Sequence, residues 1–144
     1  MLLMRIPAVI LLFFLMSFLT VFSTERVGSD ENGDGRDDTW TVFEDGKRKA
    51  IYYDSNFDGN VNYAHIFDKE EVMVEERLDF NHDGNMDDFY FYAEGVLIRR
   101  EIDSNYDGKV DVWVHVEEGV YIRRYEQDLD FDGEIDKVKD FSEE

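Results

Sequence analysis

The chain has no cysteine among its 144 residues, which excludes a disulfide-stapled fold. Basic charge is scarce: 15 Lys and Arg stand against 35 Asp and Glu, for a formal charge of −20. Nucleic acid is excluded as a partner, because phosphate contacts need clustered Lys and Arg and a polyanion would repel this chain. The three histidines, His65, His82 and His115, are scattered. No Ser/His/Asp set and no glycine-rich phosphate loop accompanies them. Glycosidase-like carboxylate pairs are expected by number alone among so many acids, so an enzyme is not expected. Apolar material is present, at 43% hydrophobic and 15% aromatic residues. That composition argues for one folded domain with a core and against disorder. An acidic excess of this size repels itself in a compact chain unless cations offset it.

The one long apolar run lies at the start. Arg5 precedes a stretch from Ile6 to Phe22 without a charged residue. This pattern predicts a secretory signal over residues 1–23, cut before Thr24, with an uncleaved membrane anchor as the alternative. No cysteine near its end marks a lipoprotein. Either way residues 24–144 are expected to be exported: secreted, periplasmic or at the cell surface. A membrane is a partner only if the segment stays attached.

Self-comparison organises the rest. Five nine-residue stretches align: DENGDGRDD (30–38), DSNFDGNVN (54–62), DFNHDGNMD (79–87), DSNYDGKVD (103–111) and DLDFDGEID (128–136). Fifteen of the 20 Asp fall at positions 1, 3, 5 or 9 of these stretches, and five of the ten Gly at position 6. The spacers carry alternating or branched and aromatic runs such as Val112-Trp113-Val114-His115-Val116 and Phe89-Tyr90-Phe91-Tyr92. Glu44-Asp45-Gly46, Ala93-Glu94-Gly95 and Glu117-Glu118-Gly119 interrupt three of them as hairpin turns would. Asp68-Lys69-Glu70-Glu71 predicts a looser turn in the second. The fold class expected is all-β: an antiparallel meander of hairpins joined by acidic loops, curled or closed. The loops gather on one edge, roughly 9–10 Å apart. Trp40/Val42, Ala64/Ile66, Phe89/Phe91 and Trp113/His115 form the expected core face, with Tyr63, Phe67, Tyr90 and Tyr92 opposite.

The pattern D-x-[DN]-x-D-G-x-φ-[DN] has the logic of a calcium loop. Oxygens at positions 1, 3, 5 and 9 converge with the carbonyl of position 7, Gly at 6 permits the sharp turn, and the apolar residue at 8 (Val61, Met86, Val110, Ile135) anchors the loop. Hard oxygen donors without Cys select calcium. The candidate ligands are Asp30, Asn32, Asp34 and Asp38; Asp54, Asn56, Asp58 and Asn62; Asp79, Asn81, Asp83 and Asp87; Asp103, Asn105, Asp107 and Asp111; and Asp128, Asp130, Asp132 and Asp136. Unequal sites follow, with four carboxylates in the fifth and two in the second. The first loop, with Asp37 at position 8 and no strand expected before it, is expected to be the least ordered. His82 sits at position 4, expected to point outward, and His65 and His115 lie within strands.

These loops resemble EF-hand-type calcium loops, although the twelfth residues (Thr41, His65, Tyr90, Val114, Lys139) are not the bidentate Glu of a full EF-hand. They are more similar to the shortened loops between β-strands of bacterial surface and adhesion repeats, of thrombospondin type 3 repeats and of integrin-like propellers. The resemblance covers the loops alone and implies calcium as the bound ion. The function expected is an exported calcium-binding structural or adhesion module. The alternative is a calcium-responsive module that binds a protein or glycan through an exposed aromatic face.

Overall fold

A computed structural model describes residues 23–142. The signal or anchor segment lies outside the described residues, apart from Ser23. Ten strands form one antiparallel sheet in sequence order. They are β1 (Thr24–Ser29), β2 (Thr39–Glu44), β3 (Lys47–Tyr53), β4 (Tyr63–Phe67), β5 (Met73–Leu78), β6 (Asp88–Ala93), β7 (Val96–Ile102), β8 (Val112–Glu117), β9 (Tyr121–Gln127) and β10 (Lys137–Asp140). There is no helix among the described residues. The meander is open: β1 and β10 do not pair with each other, and strands touch only their sequence neighbours. The expected all-β meander is therefore found, without closure.

Local chemistry explains the connections. Asp45-Gly46 and Glu94-Gly95 each place two successive residues at positive φ (53° and 76°, 52° and 78°). That is the backbone of the tight hairpin turn whose twist matches paired strands. The second spacer turns over Asp68–Val72 instead, where Asp68 Oδ1 accepts the amides of Glu70 and Val72 at 2.9 Å each. Each of the four hairpins also carries a register shift at the same place, after Val42, Ile66, Phe91 and His115. One extra residue there bends the strand and increases its twist.

Two expectations are corrected. A strand does precede the first loop. β1 pairs with β2 from Thr24↔Glu44 to Ser29↔Thr39 although it is exposed along its whole length. Backbone pairing and Arg26, whose guanidinium lies 4.3 Å from the Trp40 ring, hold it in place of apolar alternation. A Cβ on Gly28 would overlap the Asp37 carboxylate, which would have to swing aside.

The second correction concerns the core. Ala50, Ala64, Phe67 and Val112 are the only buried hydrophobic residues among those described, and apart from Ala64 the expected core face stays half-buried. Among the described residues no second layer covers either face. Charged side chains cover the rings instead. Arg99 stacks 4.2 Å from Phe91 and Arg48 4.5 Å from Phe67, with their apolar stems laid along the sheet. Arg77–Glu75, Arg99–Glu101 and Arg124–Glu126 pairs fill the same face as the Trp and Phe residues.

On the other face Glu76 accepts from Tyr63 (2.7 Å) and Tyr92, and His65 Nε2 lies 2.6 Å from the Tyr63 hydroxyl. Burial opposes ionisation of Glu76, yet these hydroxyls and His65 hold its carboxyl below the usual range. Arg100 donates through Nε (2.8 Å) and Nη2 to Asp88, which is fully buried. Arg100→Ala leaves that charge unpaired and is expected to cost about 3 kcal/mol. Arg100→Lys, which keeps the charge and loses the fork, should fall between, as urea denaturation of the three proteins would show.

Candidate metal loops

All five acidic loops share one backbone. Position 6 is Gly at φ between 86° and 96° in every loop: Gly35, Gly59, Gly84, Gly108 and Gly133. Position 4 is also left-handed, at Gly33 (81°), Phe57 (61°), His82 (60°), Tyr106 (63°) and Phe131 (64°). Four side chains with a Cβ therefore occupy a conformation that disfavours them. They point outward and are exposed, as expected for His82. The loop's own hydrogen bonds hold this shape. The position 1 carboxylate accepts the position 6 amide in all five loops, through Asp30 (2.9 Å), Asp54 (2.7 Å), Asp79 (2.9 Å), Asp103 (2.7 Å) and Asp128 (2.7 Å). The position 5 carboxylate accepts the position 7 amide at Asp34, Asp58, Asp83, Asp107 and Asp132. Asn32, Asn56, Asn81 and Asn105 at position 3 donate to the position 5 carboxylate.

Burial follows the position in the array. Position 1 is buried in loops two to five and position 9 in loops one to four; Asp30 and Asp136 are exposed. The reason is that successive loops are joined. The amide of Asp54 donates to the carbonyl of Asp38 (2.7 Å), Asp79 to Asn62 (3.0 Å), Asp103 to Asp87 (2.8 Å) and Asp128 to Asp111 (2.9 Å). The position 9 residue of one loop and the position 1 residue of the next are cross-strand neighbours, separated by about 5 Å at the backbone. The loops themselves repeat every two strands, as expected, and meet through these end residues.

The candidate ligands do not converge equally. Asp79, Asp83 and Asp87 each place one oxygen within 4.8 Å of the others, as do Asp128, Asp130 and Asp136. Asp132 is outside the second group, and the acids of loops one, two and four form no such group among the described residues. Loop two holds only two carboxylates, Asp54 and Asp58, and so cannot form such a group, whereas in loop four position 2 accounts for the difference. Ser55 donates its amide and hydroxyl to Asn62 Oδ1, and Ser104 its amide to Asp111 Oδ2 and its hydroxyl to Oδ1. In loop one, Asn32 Nδ2 donates to Asp38 Oδ1 at 3.4 Å. Loops three and five have Phe80 and Leu129 at position 2, which offer only amides, to Asp87 Oδ2 and Asp136 Oδ2.

Asp87 Oδ1 is consequently buried and has no hydrogen-bond partner, in a residue that is 1% exposed. Burial raises the Asp87 pKa against the pull of the Phe80 and Asn81 amides, and the Asp79 and Asp83 charges raise it further. Asp83 goes the other way, lowered by Asn81 and the Asn85 amide. The position 8 anchors Val61, Met86 and Val110 are half-buried as expected, while Ile135 is 47% exposed. The position 2 contrast and the left-handed position 4 were both missed in the sequence. The Ser/Phe/Leu alternation at position 2 was the available signal.

No family model and no curated protein matches the chain. Among solved structures it is similar to part of a chain in the crystal structure of accessory secretory protein 1, 2 and 3 in Streptococcus pneumoniae. The TM-score is 0.54 at 17% identity, covering 73% of this chain and 19% of that one. The chain therefore spans about a fifth of that protein's length, and at this identity the likeness is one of fold.

The left-handed position 4 gives a metal-independent test. Tyr106→Gly and Tyr106→Ala both delete the ring, but only Ala keeps the strained Cβ. Tyr106→Gly should be the more stable of the two by about 1 kcal/mol in urea denaturation in one buffer. At Tyr125, within β9, the order should reverse.

Proposed function

We propose that the chain is an exported calcium-binding β-repeat protein whose sheet is held by ions in its acidic loops, with a structural or adhesive role. The observation that carries this reading is the buried, unpartnered Asp87 Oδ1 beside Asp79 and Asp83. A buried carboxylate oxygen without a donor is costly. A hard cation coordinated by Asp79, Asn81, Asp83, Asp87 and the Asn85 carbonyl would remove that cost. Oxygen donors of this number suit calcium better than magnesium, which keeps more of its water. The shared loop backbone extends the reading to the other four loops, and the apolar run at residues 6–22 supports export. Millimolar calcium outside the cell suits dissociation constants of about 10⁻⁴–10⁻³ M.

A second reading, binding of a protein or glycan, is favoured by one feature. Tyr53, Tyr63 and Tyr90 border an open cleft of about 600 Å³ that also reaches Glu76, Asp79 and His82. Among the described residues no second layer covers it, and its rim includes Asp79 of the third loop.

Each ion that binds the folded chain alone adds about 2.7 kcal/mol at a hundredfold excess over its dissociation constant. The melting temperature should therefore rise steeply from chelator to millimolar calcium, with high sodium chloride in chelator giving partial rescue through screening alone. Coinciding melts in the three buffers would reduce the loops to ordinary turns. Calorimetry separates the sites. Ser104→Ala frees Asp111 Oδ1 and should tighten the fourth site, whereas Phe80→Ser supplies a hydroxyl to Asp87 Oδ1 and should weaken the third. Equal affinities in wild type and both variants would refute the role given to position 2.

A further inference from the structure

Among the described residues the array begins and ends on half a hairpin. In each of the four hairpins, the first residue after one loop faces the last residue before the next: Thr39↔Tyr53, Tyr63↔Leu78, Asp88↔Ile102 and Val112↔Gln127. β10 is the first half of such a unit and starts directly after Asp136. β1 is the second half of one and ends directly before Asp30. Among the described residues nothing pairs with the outer side of either strand. Ser29 turns its carbonyl inward to the Asp38 amide at 2.8 Å. By strand alternation, Gly28 and Arg26 present their backbone groups outward.

We infer that the sheet continues between molecules, with β10 of one copy pairing antiparallel with β1 of a second copy to complete the missing hairpin. The repeat sets the register: Lys137 opposite Ser29, Val138 opposite Gly28, Lys139 opposite Val27 and Asp140 opposite Arg26. Both strands keep their faces in this register. Val138 and Asp140 lie on the face of Trp113, and Gly28 and Arg26 on the face of Trp40, which is the same side of the sheet. Charges match as well: Asp140 meets Arg26, and Lys139 lies diagonal to Glu25. The junction explains the two exceptions in the loop array. Asp136 and Asp30 are the only exposed residues at positions 9 and 1, and in the internal junctions each is buried by the other kind. Pairing would bury both, together with Val27 and Val138, which are 52% and 49% exposed. Such a contact uses two different edges, so it is head-to-tail and links molecules into a row or a ring.

The absence of cysteine makes the register directly testable in the full chain. Val27 and Lys139 would form a non-hydrogen-bonded pair, with Cα atoms about 4.5 Å apart, within disulfide range. Val27→Cys/Lys139→Cys, mildly oxidised in calcium-containing buffer, should give a ladder of disulfide-linked multimers on a non-reducing gel. Val27→Cys/Val138→Cys, one residue out and on opposite faces, should stay monomeric, as should Val27→Cys alone. Arg26→Glu added to the first pair should abolish the ladder, and Asp140→Arg added to that should restore it. Three results would each overturn the inference: no ladder from the register pair, equal ladders from both pairs, or a dimer from Val27→Cys alone, which would mean β1 against β1. Because these readouts follow the edge register, they stand apart from the calcium melts, and either reading can fail without the other.

Discussion

Buried carboxylates set the terms of this structure. Of the residues at the array's internal junctions, Asp38, Asp54, Asp79, Asp87, Asp103, Asp111 and Asp128 are all buried, whereas the two sheet faces stay half-open. A single-layer sheet has no interior in the ordinary sense. Its driest place is the loop edge, where the position 1 side chain folds the loop around itself and the neighbouring repeat closes over it. Backbone amides satisfy most of these oxygens, which converts an electrostatic liability into the framework of the turn. The strands depend on that framework, because the loop amides and carbonyls continue the ladder from one hairpin into the next.

The faces solve a different problem. Each exposes aromatic rings that a second layer would normally cover. Arg26, Arg48, Arg99 and Arg100 lie over rings, and the intervening Glu residues pair with arginines or tyrosines. The resulting surface is amphipathic at the scale of single side chains, except at the start of β9, where Val120, Tyr121 and Ile122 are all more than half exposed. Asp88 and Arg100 show the limit of this arrangement, with one partner fully buried and the other half-exposed.

Much of the fold was legible because the loops punctuate it. Asp and Gly at fixed offsets marked every connection on one edge, and Asp45-Gly46 and Glu94-Gly95 marked the turns on the other. β1 was not legible: TERVGS has neither alternation nor an apolar run, and its pairing depends on β2 and on the Arg26–Trp40 contact. The bulges after Val42, Ile66, Phe91 and His115 leave no residue signature, since an extra residue in a strand changes no composition. The core face was misjudged because alternation shows which residues share a side, not whether anything covers that side. At the loops, ligand types and spacing were readable, but the competition of Ser55 and Ser104 for the position 9 side chain was not weighed. Convergence in loops three and five and not in loop four therefore came from the geometry, while loop two simply lacks a third carboxylate.

The strictly nearest-neighbour contacts between strands have a consequence for how such a protein changes over time. Among the described residues each strand packs only against the strands beside it in sequence, so a duplicated or deleted repeat disturbs one junction and leaves the other strand pairings as they were. Each added unit widens the sheet by two strands, about 9–10 Å. Width thus becomes a quantity that slippage during copying of the gene can alter in whole steps, without any new packing having to be found.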